Sequence, residues 1–235
     1  MTRAPIAVAL DAPDLRTLSA WSTAVAPHVS TLKVGLETYL RDGRAAVEAA
    51  RTAAPEAALF LDLKLHDIPA TVSGAARAVA DLQPDFLTVH ASGGPAMVSA
   101  AAEALPGTRV VAVTVLTSLT TDDLRHLDLL GPDSSSAGDL AVRLAVSAVD
   151  AGARAVVCSP EEVGVVRSAL EGRDVVLITP VVRPAGSDAG DQRRVATPRE
   201  ALDRGADLLV IGRPITGAAD VAAAAAAIAE DLGYA

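Results

Sequence analysis

Eight times along the chain a short run rich in valine, isoleucine and leucine gives way to a longer, alanine-rich amphipathic stretch, and this alternation limits the fold more than any other feature. The runs are Ile6–Leu10, Thr31–Gly35, Ala58–Lys64, Phe86–His90, Val110–Leu116, Ala155–Ser159, Val175–Pro180 and Leu208–Gly212. Between and after them lie Asp14–Ala26, Thr38–Ala53, Ala70–Leu82, Pro95–Leu105, Gly138–Ala151, Pro160–Leu170, Pro198–Arg204 and Ile215–Asp231. Their apolar residues recur at three- and four-residue steps, which predicts helices. Continuously apolar strands separated by helices belong to a parallel sheet covered by helices. An open doubly wound sheet usually carries a glycine-rich turn after its first strand. Here that turn reads LDAPDL, without glycine, and no GxxxxGK[ST] loop occurs. Eight βα units therefore predict an α/β fold, the closed (β/α)8 TIM barrel. No linker or low-complexity hinge interrupts the chain, so residues 1–235 are expected to form a single domain. Two polar loops stand out, GPDSSSAG over Gly131–Gly138 and RPAGSDAGDQ over Arg183–Gln192. Long loops in compact domains are often functional.

Charge and composition narrow the partners. The net charge is −9, so the surface as a whole repels polyanions, which argues against nucleic acid. A small anionic ligand is still compatible, because a local cluster of cations overrides the average field. Cys158 is the only cysteine, so no intrachain disulfide forms. The amino-terminal apolar stretch stops at Asp11, too early for a signal peptide, and the alanine run between Asp220 and Glu230 is too short to cross a bilayer. A cytoplasmic protein without membrane partners is expected.

Of the 20 basic residues 18 are arginine, and the two lysines are Lys33 and Lys64. Arginine keeps its proton at any usable pH whereas lysine can release one, so chemistry that needs a transferable proton cannot use arginine, which draws attention to these two positions. Both sit in or at the edge of strongly apolar runs, TLKVG and LFLDLKL. An unpaired charge is costly there. Barrel active sites form at the carboxyl ends of the strands. At those ends the sequence puts Asp11, Lys33, Asp62 with Lys64, His90, Thr117 with Ser118, Ser159, Thr179 and Gly212 with Arg213. Strand alternation directs Asp62 and Lys64 to one face, the barrel mouth, and Leu61, Leu63 and Leu65 to the helices. Lys33 and Asp11 on neighbouring strands extend this to a Lys–Asp–Lys–Asp array. Because buried ion arrays are poor stabilisers relative to apolar packing, the array points to function. For Ser159 and His90 an ordinary polar turn is sufficient explanation.

The stretch FLDLKLHDIPATV, Phe60 to Val72, resembles the D-x-K-x-x-D-I-x-x-T signature of the orotidine 5′-monophosphate decarboxylase family. ALDAPD, LKVGLE, VHASGG, VLTS and the last third from TPVVRPAGSDAGDQ to VIGRPIT are also similar to that family's pattern, in order along nearly the whole chain. Val181 departs from it, standing before Arg183 where a small residue, usually glycine, is expected. The resemblance implies conversion of orotidine 5′-monophosphate to UMP and carbon dioxide without cofactor or metal. It implies Lys64, Asp62, Asp67 and Lys33 as the catalytic group, with Lys33 and Asp11 on the ribose hydroxyls. It further implies Ile68 as a substrate contact, and a homodimer in which Asp67 and Thr71 reach the neighbouring subunit's site. Thr117 is the expected pyrimidine contact, with Ser118 its rival. Arg183, Gln192, Gly212 and Arg213 are expected on the phosphate side, since barrels often bind phosphate with the loops after strands seven and eight. Gly186 and Gly190 are consistent with a lid around Gln192.

Loss of that carboxylate leaves an electron pair in the plane of the ring, outside its π system. The protein must then stabilise developing charge with fixed groups and supply a proton. Sugar-phosphate lyases of the same barrel superfamily share the D-x-K-x-x-D strand but hold magnesium through an acid on strand two, where this chain has Lys33. An epimerase would want histidines on several strands, and only His90 sits suitably. A non-catalytic nucleotide-binding barrel has no need for the intact Lys64 and both aspartates.

Overall fold

A computed structural model describes residues 2–131, 135–180 and 196–234. Eight parallel strands close in sequence order into a barrel. They are β1 (Ala4–Ala9), β2 (Val29–Gly35), β3 (Ala58–Leu65), β4 (Phe86–His90), β5 (Arg109–Val113), β6 (Ala155–Val157), β7 (Val176–Thr179) and β8 (Leu208–Ile211). All eight fall on the runs expected from the sequence. The later strands are shorter than expected, because the chain leaves the ladder once its side chains reach the barrel mouth.

Among the described residues the helices are α1 (Leu15–Val25), α2 (Leu36–Asp42), α3 (Arg44–Ala53), α4 (Pro69–Ala78), α5 (Pro95–Ala104), α6 (Thr121–His126), α7 (Ala137–Asp150), α8 (Val163–Ala169), α9 (Pro198–Asp203), α10 (Arg213–Thr216) and α11 (Val221–Asp231). None is long and apolar enough to cross a membrane. Three expectations change. The helix expected over Thr38–Ala53 breaks at Gly43, whose φ of 59° ends α2 and starts α3. Left-handed backbone of this kind is readily adopted by glycine. The helix expected over Ile215–Asp231 divides into α10 and α11, with the Asp220 side chain accepting from the Ala223 N–H at 2.9 Å to start the second. Helix α6 was not expected. A capping box formed by Thr120 and Asp123 starts it, and at six residues it is too short to show a periodic apolar face. Ser136 and Asp139 form the same box at the start of α7, ending the polar loop that begins at Gly131.

Alternation along the strands separates two apolar layers. Leu32, Val34, Leu59, Leu61 and Leu87 point outward into the main core beneath the helices. Ala7, Phe60, Phe86, Val111, Ala155, Ile178 and Leu208 point inward and pack together inside the barrel. The chain has only two phenylalanines, and both lie in this inner layer with ring centroids 5.5 Å apart. The Arg109 guanidinium lies 5.7 Å from the Phe86 centroid. Two residues further along β3 and β4, on the same inward face, come Asp62 and Thr88. The bulky pair thus fills the barrel beneath a polar layer.

Removing the more deeply buried member should expose this dependence. Phe60→Ala leaves a cavity that rigid strands cannot close. It is expected to lower unfolding stability by about 3–5 kcal/mol, measured by urea denaturation monitored at Trp21.

Candidate active site

A cavity of about 670 Å³ opens at the carboxyl ends of the strands, with Phe60 in its lining. Asp11, Lys33, Asp62, Lys64, Thr117, Gly212 and Arg213 also line it. Seven residues chosen from separate parts of the sequence therefore meet in one concavity, of a size that suits a small molecule.

Asp62 lies at the centre of the charged group. Its Oδ2 is 3.1 Å from Lys33 Nζ, and its Oδ1 accepts from Lys64 Nζ at 2.8 Å. Asp62 and Lys33 are both buried, whereas about a third of the Lys64 side chain is accessible. Burial pushes the Asp62 carboxyl upward, but the charges of Lys33 and Lys64, and their hydrogen bonds, overcome this and hold it below the ordinary carboxylate range. The folded state therefore gains stability from ionised Asp62 above the ordinary range and loses it as pH falls through the depressed value. Two cations share the Asp62 carboxylate, in a cavity that Asp11 and Glu37 also line.

The expected sharing of one face by Asp62 and Lys64 is present, but uniform alternation is not its cause. Leu61 pairs with Leu87 and Leu65 with Val89, so the strands advance four residues on β3 against two on β4. Within this bulge Lys64 has a φ of 48°, a left-handed conformation uncommon for a lysine. The Thr88 Oγ1 accepts from the Lys64 backbone N–H at 2.8 Å and donates to Asp62 Oδ1 at 3.0 Å. Sequence reasoning missed Thr88. A threonine in FLTVH fits a strand on propensity alone.

Asp11 is positioned from both sides. The Thr38 hydroxyl donates to the Leu10 carbonyl at 2.9 Å, and Arg41 donates to the Ala12 carbonyl at 2.6 Å. Gly35 lies beneath the two groups, since a Cβ placed on it would stand 3.0 Å from both Asp11 Oδ1 and Lys33 Nζ. Glu37, another residue not selected from sequence, lines the cavity as well.

The remaining expected residues divide. Thr117 lines the cavity and Ser118 is not among its lining residues. Gly212 and Arg213 lie at the end of β8 where α10 begins. Asp67, Ile68 and Thr71 lie beyond the end of β3 in an exposed segment, with Asp67 Oδ1 accepting from the Ile68 N–H at 2.6 Å. Ile68 is 65% exposed, unusual for a large apolar side chain. Arg183 and Gln192, together with Val181, Gly186 and Gly190, lie outside the described residues. His90 is half-buried and its ring packs against His66 with centroids 5.3 Å apart. Burial, then the charges of His66 and Lys64, lower its imidazole pKa against the pull of Asp62. Ser159 is fully buried and does not line the cavity.

Comparison with known proteins bears on this site. A family model described as "Orotidine 5'-phosphate decarboxylase / HUMPS family" matches residues 4–228. A protein named orotidine 5′-phosphate decarboxylase from Thermobifida fusca is 67% identical over 97% of this chain and 96% of its own length. One of the same name from Frankia casuarinae is 55% identical over 98% of this chain and 88% of its own length. The crystal structure of orotidine 5′-phosphate decarboxylase from Lactobacillus acidophilus superposes with a TM-score of 0.80 at 33% identity, covering 97% of this chain and 98% of that one.

Gly35 gives a direct check on the charge array. Gly35→Ala should move the Lys33 ammonium and the Asp11 carboxylate apart by a few tenths of an ångström. Asp62 then loses part of the attraction that depresses its pKa. Its titration, followed by carbon-13 NMR of labelled aspartate, is expected to move to higher pH with the fold intact.

Proposed function

The chain belongs to the orotidine 5′-phosphate decarboxylase / HUMPS family, and from that membership we propose that it converts orotidine 5′-monophosphate to UMP and carbon dioxide through the Lys33–Asp62–Lys64 array. This is the last step of de novo UMP biosynthesis, carried out by a cytoplasmic enzyme. The observation that carries the mechanism is the buried Asp62 carboxylate held between two ammonium groups at the barrel mouth.

The ring C6–carboxylate bond breaks, its electron pair stays on C6, and carbon dioxide departs. The Lys64 ammonium stabilises the developing charge and then transfers a proton to C6, leaving a neutral amine that solvent reprotonates. Asp62 orients Lys64 and places negative charge near the departing carboxylate. Lys33 holds Asp62 and, with Asp11, receives the ribose hydroxyls. Thr117 contacts the pyrimidine. On the phosphate side Gly212 offers a backbone N–H with no side chain in the way, and Arg213 a forked donor. Arg183 and Gln192 complete that side. No cofactor or metal is required, because fixed charge and a proton donor supply both needs of the reaction. Lys33 supports this reading against a metal-dependent sugar-phosphate lyase, since an ammonium beside Asp62 competes with a cation for that carboxylate.

The subunits pair as a homodimer, and Asp67, Ile68 and Thr71 of each chain enter the other's site. Support comes from the exposure of this whole segment, with apolar Ile68 projecting beside Asp67. No nucleic acid or membrane takes part.

The reaction is tested by following the absorbance of orotidine 5′-monophosphate with EDTA present. Rapid conversion is expected, and strict dependence on added magnesium would favour the lyase. In the same assay Lys64→Arg keeps the charge but not the transferable proton, and kcat is expected to fall at least about a thousandfold. Near-normal turnover by that variant would refute the assignment of Lys64.

Shared sites are tested by mixing Lys64→Ala with Asp67→Ala, each nearly inactive alone. A mixed dimer carries both lesions in one site and neither in the other. Random exchange makes about half the dimers mixed, so activity should recover toward about a quarter of wild type. Demonstrated subunit exchange without recovery would show that Asp67 does not serve the partner's site.

A further inference from the structure

We propose that Thr88 is a positioning residue for the decarboxylation, fixing the backbone and the head group of Lys64 through one hydroxyl. The inference rests on the decarboxylase reading and adds to it a residue that does not itself touch substrate.

The bulge in β3 creates the need. Where β3 advances four residues against two on β4, regular pairing is interrupted between Leu61 and Leu65. Thr88 is the β4 residue opposite this interruption, between Leu87 and Val89, which pair at its two edges. Its Oγ1 accepts the Lys64 backbone N–H at 2.8 Å in place of a strand partner. The hydroxyl has one proton, and an ionised carboxylate cannot donate, so that proton goes to Asp62 Oδ1 at 3.0 Å. The same Oδ1 accepts from Lys64 Nζ at 2.8 Å. Both ends of Lys64, its amide and its ammonium, are thereby tied to one local network.

This arrangement is specific to the site. Thr88 is 1% exposed, and its other sheet neighbour is Val111, an ordinary register pair. Lys64 holds a left-handed φ that a lysine rarely adopts without support from its surroundings. Without the hydroxyl, the amide of Lys64 and one oxygen of Asp62 each lose a partner, and the network no longer selects the conformation that aims the ammonium into the cavity. Catalysis depends steeply on such aim, whereas binding of the nucleotide through the ribose and phosphate contacts does not.

The test uses two comparisons across the hydroxyl, wild type against Thr88→Val and Thr88→Ser against Thr88→Ala. Thr88→Val keeps the shape of the native residue and removes the hydroxyl. Thr88→Ser and Thr88→Ala share the loss of the methyl and differ from each other by the hydroxyl alone. For Thr88→Val, kcat is expected to fall about 10- to 100-fold, with the Kd for UMP close to wild type, the fold intact and the thermal midpoint lowered by about a few degrees. Thr88→Ser should retain most of the turnover, and Thr88→Ala should fall about 10-fold or more below it. A folded Thr88→Val with kcat within twofold of wild type would overturn the proposal. If Thr88→Val does not fold, the serine–alanine comparison decides, and equal kcat in that pair overturns the proposal. Parallel losses of kcat and UMP affinity across the hydroxyl-free variants would mark a general structural role and also overturn it. Inactive wild-type enzyme would instead refute the decarboxylase reading, which keeps the two failures distinct.

Discussion

The Asp62 carboxylate, buried between Lys33 and Lys64, is the interaction on which the site depends. A buried carboxylate without partners would take up a proton, and a buried ammonium without partners would lose one. Asp62 keeps its charge because both ammonium groups are present. Breaking a buried pair typically costs about 3–5 kcal/mol, so the three residues form a unit that tolerates little change. The closed barrel makes this possible. Lys33 is on β2 and Asp62 with Lys64 on β3, and parallel register sets Lys33 beside Phe60 and Gly35 beside Asp62. The two cations therefore approach the carboxylate from different directions.

Beneath this polar layer the barrel is filled by the two phenylalanines and their aliphatic neighbours. That filling places an apolar floor beneath the cavity. Attraction between charges strengthens as water is removed, so the same packing that stabilises the barrel gives the array its electrostatic effect. The bulge at Lys64 has an opposing energetic sign. A left-handed non-glycine residue costs about 1–3 kcal/mol, offset locally by the bonds to Thr88 and Asp62. Strain kept at a strand end beside the cavity is consistent with a functional requirement rather than a folding one.

Much of this was legible in the sequence. The alternation of apolar runs and amphipathic stretches specified eight strands in their observed positions, because continuous burial leaves a continuous apolar signature. The scarcity of lysine singled out Lys33 and Lys64, and the spacing of Asp62 and Lys64 put them on one strand. Where helices break was less legible. Gly43 was an ordinary glycine within a periodic pattern until its backbone angle showed that it ends one helix and begins another. Short elements such as α6 lack the length over which periodicity can be read.

Residue by residue, the sequence determined which groups carry charge and which strands hold them, because these follow from residue type and local spacing. Tertiary structure alone decided which groups meet. Thr88 reaches Asp62 and the Lys64 amide across 26 and 24 residues of chain. Thr38 supports the turn that carries Asp11 across 28 residues, between its hydroxyl and the Leu10 carbonyl. Gly35 supplies the space in which Asp11 and Lys33 stand together. None of these contacts leaves a local signature, since a threonine in a strand or within a short helix and a glycine at a strand end look ordinary in sequence. Their roles arise from barrel closure, which sets the register between strands and brings the ends of separate segments around one cavity.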